Sequence, residues 1–285
     1  MQQLPISDEG LDNLHVKRWR LSDGWDAVKD RPDGEVHRLL LPFWETFENA
    51  FVSMYSGPSN PYHTKTDQLL IWLYETEEDD DVPPEATDWL SMVGSYVAIK
   101  DLLAVSFAID FTREAGNPTA PKTEVAELRL QAKPYVGGAT KAHASAGKKL
   151  AKRCIAFLEE MTCYDEADCV VAVPPSDPGK EYSLPRIIAA AISEAREIPD
   201  FSEFVSTIAK RPSIKNAAVQ EKLATIRGTI AVEAGVFEGK KVLLIDDLYQ
   251  SGTSINYCAQ LLLGAGAHNV LGLACEKTCR NDDNV

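Results

Sequence analysis

No stretch of the 285-residue chain stays apolar for the roughly 18–20 residues that a bilayer-spanning helix requires. The first ten residues are polar and acidic, which excludes a signal peptide, so a cytoplasmic protein with no membrane partner is expected. Cysteine spacing offers little: the six residues at 154, 163, 169, 258, 275 and 279 form no C-x-x-C pair and have no histidine at zinc-ligand spacing. Most lie within apolar runs, where a free thiol packs as a small hydrophobe. The five histidines (15, 37, 63, 143, 268) are scattered and assemble no nucleophile or metal constellation. Internal repeats and low-complexity tracts are absent.

Positive charge is scarce in the first part of the chain. Residues 1–120 hold 22 acids and 9 bases, whereas residues 121–285 hold 21 and 20. All five tryptophans precede residue 90 and all six cysteines follow residue 150. Two regions are therefore expected: 1–120, acidic and of mixed α/β character, and 121–285. In the first, acids outnumber the Lys and Arg that phosphate contacts need, which argues against non-specific nucleic-acid binding there. Its acidic run, Glu77–Asp81, has neither the glycine nor the alternating ligands of a calcium loop, and reads as solvated loop.

Hydrophobic content of 45% and charged content of 25% are those of an ordinary globular protein. From Glu35, the residues Val36, Leu39, Leu40, Phe43, Phe47, Ala50 and Phe51 fit one helical stripe, with Pro42 as a kink or break. Gly57–Pro61 reads as a loop, and Gln68–Tyr74 as a strand or a short helix. Leu102–Phe111 reads as a strand, Thr123–Leu130 as another, and Lys133–Gly147 as a connection. Beyond it, Ala151 to Met161 carry helical spacing and Cys169–Val173 reads as a buried strand. This stops at the loop Pro174-Pro175-Ser176-Asp177-Pro178-Gly179-Lys180. A helix then follows, with Ser183 as its cap and Pro185 in its first turn. Short strands are expected near 204–208 and 229–232, and a last strand over Val270–Ala274. Alternating strands and helices imply a doubly wound, parallel α/β sheet.

The most informative stretch is Lys241–Ser254. An apolar run (Val242–Ile245) ends at two acids, Asp246 and Asp247. Leu248, Tyr249 and Gln250 follow, and then the small hydroxyl-rich turn Ser251-Gly252-Thr253-Ser254. Ile255, Cys258, Ala259 and Leu262 continue at helical spacing, to an end at Gly264 or Gly266. The turn therefore lies where a parallel strand meets a helix N-terminus, an arrangement suited to a phosphate. The acids suit the hydroxyls or metal ions that accompany one.

This stretch resembles the diphosphate-ribose motif of the type I phosphoribosyltransferases: a hydrophobic run, two acids, three variable residues, then Thr/Ser-Gly-x-Thr/Ser. Within that superfamily residues 125–280 look most like the ComF-like domains, through Val171-Ala-Val-Pro174 and Ile226-Arg-Gly-Thr-Ile-Ala-Val232. The resemblance implies a pentosyltransferase that binds phosphoribosyl diphosphate (PRPP) with Mg²⁺ held through PRPP. By the same resemblance it would transfer phosphoribosyl to a nitrogen nucleophile such as a nucleobase. Asp246 and Asp247 would hold the ribose hydroxyls, and Ser251, Gly252, Thr253 and Ser254 the 5′-phosphate. Pro174, Pro175, Ser176 and Asp177 would face the pyrophosphate, and Lys180, Lys210, Arg211 and Lys215 are candidate cations. Two departures stand out. Gln250 replaces the Asp that purine-salvage relatives often carry, and the cysteine pairs of many ComF-like proteins are missing. The alternative is a catalytically silent PRPP or nucleotide sensor or adaptor, acting as an accessory to DNA processing or defence. The expected partners are PRPP or a related nucleotide, a second copy of the chain in a homodimer, and a protein partner for the acidic region.

Overall fold

The apolar run Val242–Ile245 lies on the strand next to one edge of a six-stranded sheet, covered on both faces. The computed structural model describes residues 2–21, 27–29, 37–74, 82–134, 138–212 and 218–279. In chain order the elements begin with α1 (Asp8–Asp12), β1 (Lys17–Trp19), β2 (Val28–Lys29), β3 (His37–Leu41), α2 (Glu45–Met54), β4 (Ser59–His63), β5 (Leu69–Leu73) and α3 (Pro84–Gly94). They continue with β6 (Val97–Lys100), β7 (Val105–Phe111), α4 (Glu124–Ala132), α5 (Lys141–Glu160), β8 (Cys169–Ala172) and α6 (Leu184–Arg196). The last are β9 (Val205–Thr207), α7 (Val219–Ile226), β10 (Ile230–Val232), β11 (Lys241–Tyr249), α8 (Thr253–Gly264) and β12 (Asn269–Lys277). Among the described residues no helix is long and apolar enough to cross a membrane.

The strand order of the main sheet is β1-β6-β7-β12-β11-β8. β7, β12, β11 and β8 are parallel, while β6 and β1 add an antiparallel edge. Parallel strands are stable only with both faces covered, and this sheet is doubly wound. Leu243 and Ile245 pack with α5 and α6 through Leu150, Phe157 and Ile188. Val242 and Leu244 pack on the other side with Leu223 of α7 and Ala259 and Leu262 of α8. All six cysteines are free and buried, as small apolar fillers would be.

Strands on both sides of residue 120 share this sheet, because β1, β6 and β7 precede it. The first region also forms a four-stranded antiparallel sheet, β2-β3-β5-β4. Its buried residues (Leu39, Leu41, Leu69, Ile71, Leu73) join Phe47, Phe51 and Trp89 in the same apolar cluster that covers the main sheet.

Several local expectations are corrected. The stripe from 35 to 51 is not one helix: β3 and α2 divide at Pro42, and Leu39 and Leu41 are buried with a strand's period of two. Val36 lies outside the described residues. The supposed loop at 57–61 contributes β4, and Pro61 is tolerated because β4 is an edge strand. Gln68–Tyr74 resolves as the strand β5.

The expected strand at 123–130 is α4, started by Thr123, whose hydroxyl accepts from Ala126 N at 3.2 Å. α5 begins at Lys141, well inside the expected connection, behind a Thr140–His143 capping box. Ser183 occupies the cap position of α6 but makes no side-chain cap bond. β9 and β10 pair with each other as a separate antiparallel ribbon, and α7 between them is an element the sequence pattern did not reveal. The acidic run 77–81 and Lys215 lie outside the described residues.

Candidate functional site

The C-terminal edge of the parallel strands is where the unusual residues gather. β11 does not stop before its acids. It runs on to Tyr249, pairing Asp246 with Ala274, Leu248 with Glu276 and Tyr249 with Lys277 of β12. Both carboxylates therefore belong to a strand rather than to a flexible loop. The chain turns at Gly252, and α8 starts at Thr253. Gly252 is required here: its φ is +78°, and a Cβ would lie 2.3 Å from Tyr249 Oη. Ser251 and Thr253 are buried and share a 2.9 Å hydroxyl contact. The first N–H groups of α8 have no intrahelical acceptor by geometry, so hydroxyls and amides form one donor-rich rim.

Across the edge, Val173 N donates to Ile245 O at 2.8 Å, which sets the 174–180 loop beside β11. The loop is held from behind by Thr207 Oγ1 on Pro175 O (2.6 Å) and by Arg211 N on Ser176 O (2.9 Å). Together these segments line a cleft of about 1040 Å³, bounded by 246–255, 173–176, 179–185, Arg211, Lys222 and Lys133.

Among the cations singled out from the sequence, Lys180 and Arg211 line the cleft. Lys210 instead pairs with Asp177 at 2.6 Å on the outside of the loop, and that contact holds the Asp177 carboxyl below its usual range. Arg211 also reaches toward the Pro174 and Pro175 carbonyls, at 3.4 and 3.3 Å. Burial pulls its guanidinium value down.

The two acids differ. Burial, and then the neighbouring Asp247, push Asp246 up to about 7. Asp247 meets the end of α4, where Lys133, just past its last turn, forms an ion pair with it and Arg129 Nη1 lies 3.7 Å away. Arg129 is itself ion-paired with Glu276, which is completely buried. Burial raises the Glu276 carboxyl and Arg129 opposes the rise. Beneath the turn, buried Lys277 donates to Gln250 O at 3.1 Å. Sequence patterns pointed to none of Arg129, Lys133, Lys222, Glu276 or Lys277. Arg129 and Lys133 sit on a segment whose period was misread, and α7 carried no motif. Glu276 and Lys277 lie just past the expected end of the last strand.

Among the described residues no three His, Cys, Asp or Glu side chains converge on a metal position. The chemistry of the cleft suits an anionic ligand that carries hydroxyl groups, with hydroxyl and amide donors at one end and a carboxylate at the strand terminus.

No model of a known protein family matches the chain, and no curated protein does. Solved structures with a similar course include the glutamine PRPP amidotransferase of B. subtilis complexed with ADP and GMP. It is 17% identical with a TM-score of 0.37, over 85% of this chain and 46% of that one. The UMP synthase of Leishmania donovani is 16% identical with a TM-score of 0.30, over 53% of this chain and 30% of that one. The adenine phosphoribosyltransferase of Thermoanaerobacter pseudethanolicus is 16% identical with a TM-score of 0.31, over 53% and 98%. The chain spans less than half the length of the first two. Likeness at this level carries no argument about activity, which rests on the cleft itself.

Proposed function

We propose that this protein is a cytoplasmic, ComF-like phosphoribosyltransferase that binds PRPP with Mg²⁺ and transfers phosphoribosyl to a nitrogen nucleophile such as a nucleobase. One observation carries the reading: the acids at the end of β11, the donor-rich turn into α8 and residues 174–176 and 179–180 of the facing loop line one cleft. A 5′-phosphate fits the rim of Ser251, Thr253 and Ser254 at the helix N-terminus. Asp246 would accept hydrogen bonds from the ribose hydroxyls, and the Pro174–Ser176 loop would face the pyrophosphate. Mg²⁺, held by the ligand's own oxygens, would neutralise charge on the leaving group. Displacement at C1′ is otherwise a matter of orientation and charge compensation, with Arg211 at the edge of the pyrophosphate loop. Gln250 has no proton to exchange near neutral pH, so deprotonation of the acceptor falls to another group.

A second reading, binding without transfer, is favoured by the state of Asp247. Lys133 and Arg129 already neutralise that carboxylate, so a ribose diol must displace Lys133 or make do with Asp246. Pyrophosphate release from PRPP and Mg²⁺, across a panel of nucleobases, separates the two. Release that disappears in Asp246→Asn supports transfer. A PRPP-dependent rise in melting temperature without release supports a sensor. If millimolar PRPP neither shifts the melting temperature nor is turned over, both readings fail.

A further inference from the structure

Helix α7 carries a cation in an unexpected place. In Val-Gln-Glu-Lys-Leu-Ala-Thr-Ile, residues 219–226, Val219, Leu223 and Ile226 enter the core, while Gln220, Glu221 and Ala224 are exposed. Lys222 falls three residues after Val219 and four before Ile226, on the apolar side of the helix, and is only 7% exposed. Its Nζ is buried without a hydrogen-bond partner. Among the described residues no carboxylate lies within ion-pair distance of it. An ammonium taken from water with no counter-charge is strongly unfavourable. Lys222 lines the cleft, on a helix packed against α8, whose first turn is the donor-rich rim.

The rim has a complementary deficiency. Residues 246–254 contain two acids and no Lys or Arg. Of the other cations near it, Lys133 is engaged by Asp247, Lys277 by Gln250 O, and Arg211 by the carbonyls of 174 and 175, while Lys180 is exposed on the 174–180 loop. We propose that Lys222 is the cation of a phosphomonoester subsite, supplying the counter-charge to a phosphate seated on Ser251–Ser254 at the N-terminus of α8. This rests on the reading of that rim as a phosphate site, but not on transfer. It also assigns α7 a ligand contact.

The test is titration calorimetry of the wild type, Lys222→Met and Lys222→Arg with inorganic phosphate, ribose 5-phosphate, pyrophosphate and PRPP. Lys222→Met should bind ribose 5-phosphate and inorganic phosphate about 10–100-fold more weakly, the worth of a charge-assisted hydrogen bond. Lys222→Arg should retain most of the affinity, and pyrophosphate binding should change little. Without ligand, Lys222→Met should melt higher than the wild type, because the unpaired charge is gone, which also confirms that it folds. Equal affinity of wild type and Lys222→Met for both phosphate esters and inorganic phosphate overturns the assignment, and does so without harm to the PRPP reading if PRPP binds both. A loss confined to pyrophosphate overturns it as well. Lys222-dependent binding of inorganic phosphate by a protein that ignores PRPP would instead sustain the subsite and sink the PRPP reading.

Discussion

Tyr249 Oη donates a 2.8 Å hydrogen bond to Asp101 Oδ2, joining the motif strand to a turn 148 residues earlier in the chain. Asn256 Nδ2 donates to the same phenol oxygen (3.1 Å) and to Gly252 O (2.9 Å), while Leu102 N donates to Asn256 Oδ1 (3.0 Å). The β6–β7 turn is thus joined to the donor-rich rim through Tyr249 and Asn256, which tie the rim's glycine to the helix that follows. Burial pushes the Asp101 carboxyl up to about 6, against the pull of Leu103 N and Tyr249. The acidic first region therefore contributes a buried support to the candidate site.

Tyr249→Phe removes the donor to that carboxylate and leaves it buried. The variant is expected to lose about 1–3 kcal/mol of stability, and to bind phosphate more weakly because Gly252 loses its backing. Urea unfolding measures the first effect and calorimetry the second. An unchanged unfolding midpoint would mean that the network adds nothing.

Gly252→Ala sets a side chain on Tyr249 and forces a positive φ on a residue that resists it. Phosphate affinity should fall by at least tenfold, about 1.4 kcal/mol. Adding Tyr249→Phe removes the nearest colliding atom but neither the ring carbons at 2.7 and 2.8 Å nor the backbone strain, so the double variant should recover only part of the loss. Full recovery would assign the effect to the hydroxyl contact alone.

Asp246 ties stability to pH. Its value of about 7 in the folded protein lies above the ordinary 3.8, so the folded state holds the proton more tightly than the unfolded chain. Its destabilising effect is absent below about pH 4, grows as pH rises through 7, and then levels off. Asp246→Asn should accordingly be neutral near pH 4 and stabilising by ~2–4 kcal/mol at pH 8. Denaturant unfolding at the two pH values checks this, and an equal difference at both rules it out. Ligand affinity should fall in the same variant, the usual opposition of stability and function at a binding site.

Arg129 and Glu276 offer a coupled test. Arg129→Met strands a fully buried carboxylate, whose Oε2 already lacks a hydrogen-bond partner, and should cost about 3–5 kcal/mol. Glu276→Gln in the same chain should restore much of that. A double-mutant cycle by urea unfolding gives the coupling, and additive losses would deny the pair any energetic role.

The parts of the fold that were legible are those in which neighbouring residues carry the signal. The apolar run 242–245, the glycine-centred turn and the i, i+3, i+4 spacing after Ile255 name β11, the rim and α8 without any distant contact. Failures came where one local pattern fits two structures. Val36 to Phe51 satisfies a helical stripe until Pro42 divides it, and Thr123–Leu130 alternates well enough to pass for a strand. α7 is short, and Lys222 on its apolar side obscures its period.

The alternating α/β order and the strand, acid pair and hydroxyl turn from which a PRPP reading starts can be read from residues alone, because they depend on chemistry within a dozen positions. Which charges meet is set by the folded arrangement. Arg129 with Glu276, Lys133 with Asp247 and Tyr249 with Asp101 are partners separated by more than a hundred residues. No periodicity spans such distances. Sheet order, by laying β7, β12 and β11 side by side with α4 packed on the first two, brings those groups within reach of one another, and on the opposite face α7 leaves Lys222 without a hydrogen-bond partner in the cleft.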